Sequence, residues 1–140
     1  MNTRSLQIQT EKHLLRRYLI WCYKTTKEDL DRIDRYFTQL KVDERLLSIL
    51  KKEAGHDPVR LKKCEEFKLY MDNKVKNVLP KKFSDVPQQI LQPEYWYLQT
   101  RLKALEQTIK DVLGPQELKK IVALYEAEMT RRILEAREHT

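Results

Sequence analysis

The stretch Tyr95–Pro115, YWYLQTRLKALEQTIKDVLGP, carries the most regular pattern in the chain. Apolar residues recur at Tyr95, Leu98, Leu102, Leu105, Ile109 and Val112, the three-and-four alternation that lines one face of an α-helix. Gly114-Pro115 ends it, because glycine leaves a helix at little cost and proline suits the first position of the next. The spacing then resumes at Leu118, Val122, Tyr125, Met129, Ile133 and Ala136. Two helices, about 93–113 and 115–138, should therefore form a long antiparallel hairpin, each arm about 30 Å at about 1.5 Å per residue.

The same reading extends toward the N-terminus. A first helix is expected over about 6–24, with Leu14, Leu15, Tyr18, Leu19, Trp21 and Cys22 covering a wide, well-buried arc. Thr25 and Glu28 have capping-box spacing, which would start a second helix over about 26–54; one continuous helix through Thr25-Thr26 is the alternative. Its stripe is Leu30, Ile33, Phe37, Leu40, Leu47 and Leu50. Gly55 closes it, and Asp57-Pro58 opens a third helix over about 58–79, with Leu61, Cys64, Phe67, Met71, Val75 and Val78 inward. Residues 80–92, with Pro80, Pro87 and the adjoining Pro93, read as a proline-rich connection containing at most a helical turn from Ser84. Only two glycines occur in 140 residues, which leaves little room for hairpins or phosphate-binding loops. The expected fold is all-α, a bundle of about five helices in a single domain over 1–140.

The longest apolar run, Tyr18–Tyr23, is far short of a membrane span, so no span and a soluble protein are expected. Cys22 and Cys64 fall on apolar faces and read as buried free thiols in a reducing compartment. A cytoplasmic protein follows; the basic, acid-poor N-terminus makes the mitochondrial matrix the alternative. Net charge is +7, gathered in two basic blocks, residues 1–27 and 58–83, each net +5.

Helical geometry separates the rings of the triplet Tyr95-Trp96-Tyr97. Tyr95 falls on the apolar stripe. Tyr97 lies at its edge, one turn before Arg101, and Trp96 faces nearly opposite. Three uses of Trp96 are open: cover by the Phe83/Ile90/Leu91 segment, an anchor for a partner, or a base-stacking platform.

No catalytic, metal or cofactor site is expected. His13, His56 and His139 are scattered; Glu135 and His139 are four residues apart but lack the repeated Glu-x-x-His of bundle metal sites. The function read from these features is a non-enzymatic protein–protein interaction or assembly module. Its partner is of unknown identity, self-association is an option, and the partner-binding residues are Trp96, Tyr97, Arg101 and Phe83. The alternative is nucleic-acid backbone binding by Lys62, Lys63, Lys74, Lys76, Lys81 and Lys82, joined by Arg16 and Arg17. Finally, LDRIDRYF (Leu30–Phe37) and DPVRLKKCEEF (Asp57–Phe67) resemble the first- and second-helix signatures of the all-helical chorismate mutases. That resemblance implies a small helical enzyme binding a dicarboxylate, with Arg32, Arg60 and Lys63 as the nearest counterparts of the family's binding residues. It covers two short segments and does not account for the fourth and fifth helices.

Overall fold

A computed structural model describes residues 3–138. The described residues form four α-helices and two 3-10 turns, and the chain is all-α: α1 Thr3–Ala54, α2 Pro58–Val75, turns at Lys76–Val78 and Lys81–Phe83, α3 Gln88–Leu113 and α4 Pro115–Glu138.

The first and second expected helices are one, the alternative left open at Thr25-Thr26. No glycine or proline occurs before Gly55, so nothing covalent interrupts α1. The capping-box reading fails because an N-cap must leave helical geometry to receive amides. Thr25 stays helical instead, and its hydroxyl donates backward to the carbonyls of Trp21 (2.9 Å) and Cys22 (3.2 Å). Gly55 terminates α1 at φ +59°, its N–H donating to Lys51 O at 3.2 Å. Asp57 then caps α2 by accepting the Val59 N–H at 3.0 Å, with Pro58 at the first position.

The proline-rich connection is shorter than expected. Its helical turn lies at Lys81–Phe83 rather than from Ser84, and α3 begins at Gln88, five residues before Pro93. The Pro87 carbonyl accepts the N–H groups of Ile90 (2.9 Å) and Leu91 (3.1 Å), which starts the helix. Pro93 costs α3 one backbone hydrogen bond, to Gln89 O. Complete burial of Leu91 in the turn before it offsets that loss. Gly114 (φ +97°) closes α3 and Pro115 opens α4, as the spacing predicts.

The chain divides into two compact units: residues 1–27 with 99–140, and residues 28–98. In the first, Leu19, Cys22, Tyr23 and Thr26 of α1 are buried, as are Leu102 and Ile109 of α3 and Ile121 and Tyr125 of α4. The Tyr23 and Tyr125 rings meet edge to face, 6.1 Å apart. Arg16–Glu117 (2.9 Å) and Lys24–Glu128 (3.2 Å) step along the same two helices, which therefore run parallel. In the second unit the buried set is Leu30, Ile33, Ala54, Cys64, Met71, Val75, Leu79, Leu91 and Leu98. Here the Phe37 ring packs edge-on against Tyr95, and Lys82 pairs with Asp29 at 2.5 Å. Both cysteines are free and buried, as expected.

The wide buried arc expected near the start of α1 is not found. Of its six apolar residues only Leu19 and Cys22 are buried; Leu14, Leu15, Tyr18 and Trp21 are exposed. Two neighbouring helices cover one side of α1, and the apolar arc is wider than that side.

Candidate interaction surfaces

The structure leaves Trp96 uncovered, 66% exposed on the solvent side of α3. The segment that could have covered it is otherwise engaged. Leu91 faces the core, Ile90 is itself exposed, and Phe83 is half-buried with Lys82 Nζ 5.2 Å from its ring centre. Tyr97 is also exposed, about a quarter-turn round the helix from Trp96. Phe83, Trp96 and Tyr97 belong to the second unit and Arg101 to the first. Among the described residues the cation–ring contacts are Lys74 over Tyr70 and Lys82 over Phe83; Arg101 over Tyr97 is not one of them.

Arg101 lies instead near Tyr18 of α1. A hydrogen bond with Cys22 raises the Tyr18 pKa above its ordinary value, while the Arg101 charge pulls it the other way. Tyr18 is the middle of an exposed stripe in the first unit: Leu14, Tyr18 and Trp21, at i, i+4, i+7, are 57%, 60% and 61% exposed. Sequence reasoning missed this surface because it assigned all three residues to the core. A signal was present, since they lie about two-fifths of a turn away from Leu19 and Tyr23, too far round for a single buried face.

The charge distribution resolves by unit. The first unit holds fourteen Lys and Arg against eight Asp and Glu, net +6; the second holds fourteen against thirteen, net +1. The two basic blocks thus fall in different units, and the second is nearly neutralised within its own. Lys62, Lys63, Lys74, Lys76, Lys81 and Lys82 are all exposed there. Around α2, Lys63 and Lys74 share a face, while Lys62 points about 100° away, with Glu65, Glu66 and Asp72 interleaved. Lys74 donates to the Tyr70 hydroxyl at 3.0 Å, which raises its pKa. In the first unit Arg16 is held by Glu117, whose carboxyl is lowered chiefly by that hydrogen bond, and Arg17 is exposed.

An apolar cleft in the second unit, about 400 Å³, is lined by Leu50, Glu53, Ala54, Arg60, Lys63, Cys64 and Phe67. It joins Arg60 and Lys63, but Arg32 lies eighteen residues along α1 from Leu50, about 27 Å away. The three residues picked out by the chorismate mutase resemblance therefore share no pocket. Among the described residues no group of three or more His, Cys, Asp or Glu is placed to hold a metal ion, and Glu135 is 3.9 Å from Arg131. His139, its expected companion, lies outside the described residues. No helix among the described residues is long and apolar enough to cross a membrane. Comparison with known protein families, curated proteins and solved structures finds no match.

Proposed function

We propose that this protein is a non-enzymatic helical interaction module that docks partner proteins through exposed aromatic helix faces. One observation carries the reading: both tryptophans of the chain are on the surface, Trp21 at 61% and Trp96 at 66% exposure. Tryptophan is a highly buried residue on average, and its apolar area makes an exposed position costly unless something covers it. It is also among the residues most enriched at the energetic centres of interfaces. The net charge of the first unit favours an acidic partner for the Leu14–Tyr18–Trp21 face.

The test is quantitative affinity capture from the native cell with the wild type, Trp21→Ala and Trp96→Ala. Proteins retained by the wild type should be lost from a tryptophan variant whose melting temperature is unchanged. Identical capture by all three proteins would count against the reading.

A second reading, binding of a nucleic-acid backbone, is supported by the net +6 of the first unit, with Arg17 and Arg101 exposed on it. The balanced second unit gives it no support.

A further inference from the structure

In the second unit, the part of α1 from residue 35 onward and the part of α2 up to residue 70 have little core. Of residues 35–70 only Ala54 and Cys64 are buried. Val42, Leu46, Ile49 and Leu50 of α1 and Val59, Leu69 and Tyr70 of α2 are all exposed. Helices in proteins take most of their stability from burying an apolar face, and this pair buries little of its own.

The exposed residues of α1 are ordered. Val42, Leu46 and Ile49 follow i, i+4, i+7 and lie on one line along the helix. That line is about a third of a turn round from Leu47 and Ala54, which line clefts shared with α2. Arg35 and Glu53 extend it at its two ends, both exposed, Glu53 standing also at the rim of the cleft that Ala54 lines. Eighteen residues separate them, which is five whole turns at 3.6 residues per turn, so they sit above one another.

A stripe with an apolar middle, a cation at one end and an anion at the other is complementary to itself turned end for end. In an antiparallel pair, with Ile49 of each copy set against the exposed Gln39 of the other, Arg35 of each copy meets Glu53 of the other, and Val42 of each meets Leu46 of the other. Both contacts occur twice, as two-fold symmetry requires. The charge balance also selects the partner. With fourteen basic against thirteen acidic side chains, two second units approach without net repulsion, whereas two first units, net +6 each, repel. We propose that the protein forms a two-fold dimer by antiparallel packing of the Arg35–Val42–Leu46–Ile49–Glu53 stripe of α1 against a second copy of itself.

Three apolar residues per copy make a small interface of the weak, reversible class. The dimer is therefore read by sedimentation equilibrium on the full chain over a wide concentration range. The wild type should show a mass rising from monomer toward dimer with concentration. Leu46→Glu, at a site already exposed, should give a monomer with unchanged circular dichroism. Arg35→Glu and Glu53→Arg should each weaken association about tenfold or more by placing like charges together, and the two combined should restore it. A monomer at every concentration overturns the proposal, which would leave the stripe to a different protein. So does a Leu46→Glu dimer as strong as the wild type, or a double charge reversal no tighter than the single variants. Trp21→Ala and Trp96→Ala should leave the dimer intact, so this proposal and the partner-docking reading fail separately.

Discussion

The Tyr95 hydroxyl of α3 donates a hydrogen bond to the Asp34 carboxylate of α1, within the second unit. That bond, then partial burial, then the negative charges of Asp34 and Asp31 push the Tyr95 pKa up to about 12. The phenol is kept protonated in the folded chain at pH values where an unfolded tyrosine, with a pKa near 10, has already ionised. The folded state thus binds more protons between these two values. The stabilisation is complete below about pH 10 and is lost as pH rises toward about 12. Tyr95→Phe keeps the ring against Phe37 and removes only the hydroxyl. It should cost about 1 kcal/mol in urea denaturation at pH 7, less than a buried bond to a charged group because Asp34 is exposed and can turn to water. Between pH 10 and 12 the variant should lose less stability than the wild type. Equal losses would show that this bond does not set the alkaline limit.

Exposure also predicts which large residues matter for stability. Trp21→Ala and Trp96→Ala should each change the unfolding free energy by no more than about 0.5 kcal/mol. Ile109 is fully buried in the first unit and Leu91 in the second. Replacing either by Ala should cost about 2–5 kcal/mol, because the cavity closes only in part. Chemical denaturation of the four variants checks the contrast. A large loss at Trp96 would mean that its ring belongs to the core.

What the sequence made legible was set by strong local chemistry. Gly55 with Asp57-Pro58 and Gly114-Pro115 mark helix ends because no other residues meet those backbone demands so cheaply, and the structure breaks there. Thr25 was ambiguous because its hydroxyl has two comparable uses, capping the next helix or bonding back to the carbonyls of Trp21 and Cys22, and only the surrounding packing selects one. Pro93 was read as a helix start, yet burial of Leu91 draws the helix back across it. The surfaces were the least legible. Periodicity shows that Leu14, Tyr18 and Trp21 share a helix face, but not how many helices stand round α1 to cover it. Val42, Leu46 and Ile49 passed unnoticed for the same reason, since Leu47 and Leu50 between them already supplied an inward stripe.

Thr26 tests the joint in α1 where two helices were expected. It is 2% exposed, and its hydroxyl has no hydrogen-bond partner. A buried unpaired hydroxyl costs free energy that an apolar group of the same shape avoids. Thr26→Val keeps the β-branch and the volume, and valine and threonine have similar helix propensities. The variant should be more stable than the wild type, by about 0.5–1 kcal/mol. Thr25→Val should be neutral or destabilising, because the hydroxyl it removes is bonded. Urea unfolding of the two single variants measures the difference, and a Thr26→Val protein clearly less stable than the wild type would show that the hydroxyl is satisfied in solution.

The lysines of the second unit offer the sharpest separation of protein docking from phosphate binding. Lys82 is a poor choice for charge reversal, since Lys82→Glu would set a carboxylate against Asp29, and Lys74 is engaged with Tyr70. Lys62, Lys63, Lys76 and Lys81 are exposed, and reversing all four to Glu should leave the fold intact by circular dichroism. A backbone-binding protein that loses four phosphate contacts should show a slope of log affinity against log salt shallower by about 3–4. Because Lys62 and Lys63 point to different sides of α2 among acidic neighbours, and Lys76 and Lys81 lie in the two turns beyond it, the expected result is different. Any affinity of the wild type for generic RNA or duplex DNA at low salt should be nearly unchanged in the quadruple variant. It should fall instead on replacing Arg17 and Arg101, which are exposed on the strongly basic first unit. A steep salt dependence that disappears with the four lysines would overturn this expectation and make the second unit a nucleic-acid surface.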